Sequence, residues 1–180
     1  MATDLNFYIR NITQSSPLAD VENIISVNLR PSVSLRWLDR SSITISGILN
    51  GINLNSGNVL SLEGRDANLF SPFPDGTTSG NALYVGSVLT LYLAQNQSMV
   101  KDQDYAFRFR LINPRLNQPG GNTSISAISS QGSLARIYPQ QMTFSADSTV
   151  VGVVDGAIPP KCIIPIFHGS STIQSNPLVG

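Results

Sequence analysis

The sequence predicts an all-β fold: an antiparallel β-sandwich of immunoglobulin-like or Greek-key type, with about ten short strands. Three observations support this fold class. Apolar and polar residues alternate with a period of two in run after run, which is typical of half-buried strands. Turn pairs such as Asn50-Gly51 and Asp155-Gly156 separate the runs. Helical periodicity is nearly absent, which favours a sandwich over a sheet of alternating strands and helices.

The first three alternating runs occupy residues 5–10, 25–29 and 43–46. Because successive side chains of a strand point to opposite faces, each run has one apolar face and one polar face. The residues predicted to face the core are Leu5, Phe7, Ile9, Ile25, Val27, Leu29, Ile43 and Ile45.

A longer apolar run follows at residues 83–93, which we interpret as one strand with a bend at Gly86-Ser87. The clearest strand is at residues 105–111, where aromatic and aliphatic side chains occupy every second position. Its predicted core residues are Tyr105, Phe107, Phe109 and Leu111, with Ala106, Arg108 and Arg110 on the opposite face. Weaker strands are predicted at residues 124–128, 134–138, 142–144, 149–154 and 162–167.

Residues 14–173 are predicted to form one sandwich module, in which the strand-poor segment 64–80 is a long loop with Phe70 and Phe73 against the core. The alternative is two small β domains, at residues 1–63 and 81–180. We favour the single module because only about five short strands precede Gly64, which is few for an independent core.

A five-residue motif, Gln-Ser-Ser-Pro-Leu at residues 14–18, returns with one substitution as Gln-Ser-Asn-Pro-Leu at residues 174–178, which is 160 residues later. Both copies follow an apolar stretch and together they bracket most of the chain, as in one period of a tandem array. A similar turn used twice is the alternative explanation. We predict that residues 1–13 and 174–180 are junction segments to neighbouring modules. The predicted junction residues are Gln14, Ser15, Pro17 and Leu18 in the first copy and Gln174, Ser175, Pro177 and Leu178 in the second.

The composition describes a polar but uncharged surface. Charged residues make up 12% of the chain, against about 25% in ordinary soluble domains. Eleven basic residues balance eleven acidic ones, so no net field would attract nucleic acid or an anionic membrane. We therefore predict no nucleic-acid partner and no membrane contact by this segment. A neutral surface also lacks the repulsion that keeps monomers apart, which suits a protein that self-associates.

The sequence contains no recognisable catalytic or metal-binding constellation. His168 is the only histidine, so a catalytic triad or a multi-histidine metal site would depend on it alone. Asp102 and Asp104 have the spacing of some calcium loops, but no further oxygen ligands complete a cage. Cys162, the only cysteine, is expected to be a small buried hydrophobe. We predict no catalytic site, no metal, no cofactor and no enzymatic activity.

Three N-glycosylation sequons begin at Asn11, Asn96 and Asn122. About three would arise by chance in a chain so rich in Asn, Ser and Thr, so their number carries no weight. Their positions are more informative, because Asn96 and Asn122 fall in predicted turns where a glycan could be accommodated.

Several of these stretches resemble the repeats of large extracellular proteins of algae and other microbial eukaryotes, including mastigoneme-like flagellar hair proteins. The resemblance covers roughly residues 14–130 and lies in an asparagine-led strand, an "ITISG" strand, a long apolar strand and an aromatic strand ending in Asn-Pro. Here these are residues 23–29, 42–48, 88–93 and 105–118. The chain departs from the pattern at Ile48 and Leu49, where one Leu is usual, and matches less clearly from Ser130 onward.

The resemblance implies an extracellular or cell-surface, glycosylated and non-enzymatic repeat that forms filaments or surface coats. We therefore predict a structural module of a tandem-repeat protein that self-associates with neighbouring modules and carries glycans. One alternative is an adhesin or carbohydrate-binding module that uses Trp37, Tyr84 or Tyr92. A further alternative is a viral capsid or fibre protein, although the sequence has no basic arm for packaging a genome.

Overall fold

A computed structural model of the chain describes residues 5–55, 57–129, 136–144 and 161–164. The described residues form an all-β structure with a single three-residue 3-10 helix at Ala67–Leu69. The strands are β1 (Phe7–Gln14), β2 (Glu22–Pro31), β3 (Leu35–Arg36), β4 (Ser42–Ser46), β5 (Ile52–Asn53), β6 (Val59–Glu63), β7 (Phe70–Ser71), β8 (Asn81–Val85), β9 (Val88–Leu93), β10 (Ser98–Met99), β11 (Tyr105–Ile112), β12 (Ser124–Ile128), β13 (Arg136–Gln141) and β14 (Thr143–Phe144).

Most of these strands belong to one large mixed sheet. Its order is β13-β12-β4-β9-β8-β6-β11-β2-β1-β14, with β5 and β7 attached to β11 and β9. The β1–β14 pair is parallel, and the other pairs in this order are antiparallel. A separate two-stranded sheet joins β3 and β10.

The large sheet nearly closes into a barrel. Its two outermost strands, β13 and β14, are adjacent stretches of the same chain, so the first and last positions of the order lie side by side. The Phe7 N–H donates to the side-chain oxygen of Gln140 at 3.0 Å, and Arg10 Nε donates to the Gln141 carbonyl at 2.7 Å. These contacts connect β1 to β13 across the remaining gap.

One hydrophobic core occupies the interior. Five of the core residues predicted from the alternation, Ile43, Ile45, Phe107, Phe109 and Leu111, belong to it, and each is at most 2% exposed. Strands that precede the 64–80 segment pair with strands that follow it: β2 with β11, β4 with β9 and β12, and β6 with β8. The two parts of the chain therefore share this core.

The 64–80 segment carries the 3-10 helix and β7. Phe70 is fully buried, and its ring packs edge-on against the ring of Phe107 with centroids 5.0 Å apart. The expectation for Phe73 is wrong, because 44% of that residue is exposed.

Strand β1 lies inside the large sheet, between β2 and β14, so residues 7–13 are not a separate junction segment. The prediction of which β1 residues face the core is also incorrect beyond Phe7. A register shift against β2 occurs between Phe7 and Ile9, which reverses the alternation, and Ile12 and Gln14 become buried while Ile9 is only half-buried.

The predicted strand at residues 83–93 is a hairpin. The chain reverses at Gly86, whose φ is +63°, and β8 pairs antiparallel with β9. Because the chain turns back, β8 buries Ala82 and Tyr84 and leaves Val85 51% exposed. The β9 residues Leu89, Leu91 and Leu93 are buried. The predicted strand at 149–154 and residues 165–167 of the last predicted strand lie outside the described residues.

Within the described ranges, no helix has the length and apolarity needed to cross a membrane.

Candidate functional site

The first copy of the repeated motif begins at the last residue of β1 and continues into the loop before β2. Gln14 and Pro17 are buried, Leu18 is half-buried and Ser15 is exposed. The first copy is therefore folded into the body of the domain. The second copy, Gln174, Ser175, Pro177 and Leu178, lies outside the described residues.

Two fully buried asparagines hold this loop. Asn23 Oδ1 accepts hydrogen bonds from the N–H groups of Ser15 (3.0 Å) and Ser16 (3.1 Å), and Asn23 Nδ2 donates to Asn113 Oδ1 at 2.9 Å. Asn113 Nδ2 donates to the carbonyls of Ser16 and Leu18, both at 2.8 Å. Buried polar groups destabilise a fold unless they are paired, so this network fixes the loop in one conformation. Neither asparagine was predicted as a site residue.

The described segment 161–164 runs beside the same loop. The Ile163 N–H donates to the Pro17 carbonyl at 2.7 Å, and the Ala19 N–H donates to the Ile163 carbonyl at 2.9 Å. The Gln14 side chain bonds both backbone groups of Lys161, donating to its carbonyl at 3.2 Å and accepting from its N–H at 2.9 Å. The first copy of the motif thus anchors a stretch of chain that lies about 150 residues further along the sequence.

Cys162 is part of this contact. It is buried and unpaired, its backbone pairs with Gln118 at 2.9 Å in both directions, and its Sγ donates to the Pro114 carbonyl at 3.1 Å. Burial, and to a smaller extent the Asp20 carboxylate, raises the pKa of the thiol. A raised pKa keeps the thiol protonated at neutral pH, so Cys162 acts here as a packing residue.

We call residues 14–21, 113–118 and 161–164 the upper end of the domain, and residues 5–7, 31–34 and 100–103 the lower end. At the lower end, backbone and side-chain bonds join Asn6 to Ser32, Asp102 to Pro31 and Lys101 to Ser34. The two ends lie at opposite ends of β1, β2 and β11. An eight-residue strand is about 26 Å long, which sets the distance between them.

Exposed apolar side chains are found at the upper end. Val21 is 40%, Leu116 76% and Ile164 43% exposed. Hydrogen bonds from Asn113 N–H to the Val21 carbonyl and from Ile164 N–H to Asn117 Oδ1 hold the three segments together. The upper end therefore presents an apolar surface beside the anchored chain.

Two arginines on the outer face of β11 are paired within the domain. Arg108 and Arg110 both contact Glu63, at 3.1 Å and 2.8 Å, and Arg110 also contacts Glu22 at 2.6 Å. The hydrogen bond from Arg110, followed by that from Arg108, lowers the pKa of Glu63. These arginines are therefore paired with carboxylates of their own sheet.

The three aromatic residues considered for carbohydrate binding differ in accessibility. Tyr84 is 5% exposed, its hydroxyl bonds to the Leu49 carbonyl, and burial raises its pKa to about 12. Tyr92 is half-buried in β9. Trp37 lines a surface cavity of about 230 Å³ together with Arg36, Leu38, Asn96, Gln97 and Ser98. Trp37 is half-buried and is therefore an aromatic side chain that lines a surface cavity.

The three sequons occupy different environments. Asn11 lies within β1, where it pairs with both neighbouring strands, and its side-chain oxygen is buried without a hydrogen-bond partner. Asn96 is exposed in a turn with φ +62°. Asn122 is also exposed, but it precedes the fully buried Thr123. Asn96 is thus the most open of the predicted glycosylation sites.

Asp102 and Asp104 do not form an oxygen cage. Asp104 is bonded to both guanidinium nitrogens on one side of Arg30, at 2.6 and 2.7 Å, and this pairing lowers the pKa of the carboxyl. Among the described residues, no group of three acidic, histidine or cysteine side chains could hold a metal ion. His168 is outside those residues.

No protein-family model matches the chain, and no curated protein matches it. Among solved structures, it is similar to crystal structures of a GH20 exo-β-N-acetylglucosaminidase from Vibrio harveyi. The inactive mutant aligns with a TM-score of 0.45 and 9% identity over 78% of this chain. The complex with N-acetylglucosamine gives 0.41 and 8% over 74%. The alignments cover only 18% and 17% of those enzymes.

Proposed function

We propose that the chain is a non-enzymatic structural module of an extracellular tandem-repeat protein that assembles into filaments or a surface coat. This proposal rests on the path of the chain between the lower and the upper end. The described chain starts at the lower end with Leu5 and runs through β1 to the upper end, and Ile164 is also at the upper end. Modules joined from the upper end of one to the lower end of the next would extend in one direction.

The position of the repeated motif agrees with direct end-to-end joining. Its second copy begins ten residues after Ile164, and ten extended residues reach at most about 36 Å. The second copy would lie at the upper end of the next module, and a module is about 26 Å from end to end. Only about 10 Å of the reach is left over, so the lower end of the next module would lie close to the upper end of the first. A repeated contact of this heterologous kind builds an open filament unless its rotation closes a ring.

The apolar surface at the upper end would form one side of this contact. Val21, Leu116 and Ile164 expose apolar area where the next module would join. The surrounding surface carries the exposed ion pair between Arg115 and Asp20, which contributes little to stability on its own. Exclusion of water from the apolar side chains would thus provide the main attraction.

We further propose that the large sheet is best viewed as a sandwich of immunoglobulin-like or Greek-key type, folded over at two corners. Val59–Ser61 of β6 pair with β8, whereas Leu62 and Glu63 pair with β11. At the other side, β13 pairs with β12 and the following β14 pairs with β1. Strands that change partners in this way form the corners of two packed sheets.

The test is electron microscopy of a two-module chain in which residues 1–173 are followed by residues 14–180, which preserves the 160-residue spacing. We expect rods with a constant angle between modules, because the shared surface fixes their orientation. Two complete chains joined by a flexible Gly/Ser linker serve as the control and should appear as randomly jointed beads. Random joints, or an unfolded second module, in the 160-residue arrangement would contradict the proposal.

Matched leucine variants of the two-module chain test the surface itself. Leu116→Ser should make the joint flexible, because it removes the most exposed apolar side chain of the upper end. Leu38→Ser is the control, since Leu38 is 72% exposed but lies outside the upper end. Both substitutions should leave the melting temperature of a single module nearly unchanged. Equal flexibility in the two variants would show that the joint lies elsewhere.

The second candidate function is that of a carbohydrate-binding module, because Trp37 lines a surface cavity. A glycan array distinguishes the two, because a purely structural module should bind no free glycan.

A further inference from the structure

We propose that Asn96 carries an N-linked glycan whose first sugar packs on Trp37. This inference rests on the extracellular role proposed above, because only a secreted chain meets the glycosylation machinery. It identifies a modification site and gives the Trp37 cavity an occupant. Two short segments, residues 36–38 and 96–98, form the cavity.

Pairing of β3 with β10 brings these segments together. Arg36 lies opposite Ser98 in the ladder, and the Trp37 N–H donates to the Gln97 carbonyl at 3.0 Å. The sequon residue Asn96 therefore lies one residue from the position that Trp37 contacts. These five residues and Leu38 line one cavity of about 230 Å³. All of them except Leu38 supply polar groups or an aromatic ring.

The indole ring is held in place from behind. Trp37 Nε1 donates to the Asp75 carbonyl at 3.1 Å, and the ring also packs against the core. Gly76, at φ +72°, allows this close approach, since a Cβ there would lie 2.6 Å from Trp37 Nε1. A fixed aromatic ring offers a surface for ligand contact with little loss of conformational entropy.

The cavity has the chemistry of a sugar subsite. One face of an N-acetylglucosamine ring consists of C–H groups, which pack well on an aromatic plane. The Arg36 guanidinium provides donors, and the Gln97 amide provides both donors and an acceptor for hydroxyl and acetamido groups. A small number of polar groups placed around an aromatic surface is typical of small-molecule sites.

The size of the cavity favours an attached sugar over a free one. Pockets that enclose free ligands usually measure about 300–1,000 Å³, so this cavity is small for independent binding. A covalent link raises the effective concentration of the sugar to the millimolar range, and a weak contact then becomes well populated. Asn96 provides such a link at the rim of the cavity.

Asn96 is also suited to the transfer reaction. It is exposed in the turn in which the Gln97 N–H donates to the Ala94 carbonyl at 2.9 Å, and Ser98 of the sequon is exposed. The donor is a lipid-linked oligosaccharide diphosphate. The Asn96 side-chain nitrogen forms a bond to C1 of the first sugar as the bond from C1 to the diphosphate oxygen breaks, and the amide loses one proton.

The experiment uses the full chain secreted from cells that make only high-mannose glycans. Mass spectrometry is expected to find a glycan at Asn96. Trp37 is the only tryptophan, so its fluorescence reports directly on the cavity. Ser98→Ala, which removes the sequon and keeps the Asn96 side chain, should shift Trp37 emission to longer wavelength and increase its quenching by acrylamide. The matched Ser124→Ala variant, which removes the Asn122 sequon, should leave both unchanged.

Enzymatic trimming separates the first sugar from the rest of the glycan. An endoglycosidase that leaves one N-acetylglucosamine on Asn96 should preserve the shielding of Trp37. An amidase that removes the whole glycan should abolish it. An unoccupied Asn96, or an occupied one whose complete removal leaves Trp37 fluorescence unchanged, overturns the inference. Filament formation is tested separately with chain from bacteria, which lacks the glycan, so failure of this inference and failure of the structural role are distinguishable.

Discussion

Replacement of Phe109 by alanine is expected to lower the free energy of unfolding by about 3–5 kcal/mol. Phe109 is fully buried in β11, which pairs with both β2 and β6 at this position. The substitution removes the ring and leaves a cavity that the flanking strands cannot fill, because their backbones are fixed by the ladder on both sides. A urea titration of the full chain measures the change.

Arg108→Ala is the matched control in the same strand. Arg108 points outward, and its 3.1 Å contact with Glu63 joins two substantially exposed side chains. Exposed ion pairs contribute little, so the loss should be below about 1 kcal/mol. Equal, small losses at Phe109 and Arg108 would show that the predicted facing of β11 is wrong.

Replacement of Asn113 by leucine is expected to cost about 3 kcal/mol or more, although leucine has the same number of side-chain heavy atoms in the same branched arrangement. The substitution leaves the carbonyls of Ser16 and Leu18 and the side-chain amide of Asn23 without their partner. Each buried group left unpaired costs about 1–3 kcal/mol. Thermal and urea unfolding of the variant measure the loss.

The control for the polar network is Asn55→Leu. Asn55 is exposed, and its side chain donates to Ser61 Oγ at 2.7 Å. Water replaces this bond when it is lost, so we expect a change within about 0.5 kcal/mol. If Asn113→Leu is as mild as Asn55→Leu, the loop does not depend on the buried asparagines.

The alternation of residue types is sufficient to predict the strands that have regular pairing. In β2, β4 and β11 the apolar inward-facing residues recur with a period of two, and the β2–β11, β4–β12 and β4–β9 ladders run without a register shift. In β1 the register shift after Phe7 reverses the facing, and no residue type in that strand signals it. A bulge arises from pairing with a neighbour, which a single run of sequence does not contain.

The β8–β9 hairpin was missed for a related reason. A glycine in an apolar run is compatible with either a bend or a reversal of the chain, although Gly86-Ser87 also suits a two-residue hairpin turn with glycine at its first central position. The outcome is decided by β4 and β6, which pair with β9 and β8 and lie far from the turn in the sequence.

The buried asparagine pair could have been found from the sequence. Asn23 lies two residues before Ile25 in the series of alternate positions that face the core in β2. Asn113 lies two residues after Leu111 in the corresponding series of β11. The alternation therefore places both amides in the core. Their mutual contact was not predictable in this way, because it joins residues 90 positions apart.

The course of β1 from the lower to the upper end determines how the domain would respond to tension. A force applied between Phe7 and the anchored Ile163 would act largely along the strand, since the two lie at opposite ends of it. The ladder bonds to β2 run across the strand and would be loaded in shear, all at once rather than one after another. A fibre built from such modules would resist stretching up to a threshold force and would then extend as individual domains rupture.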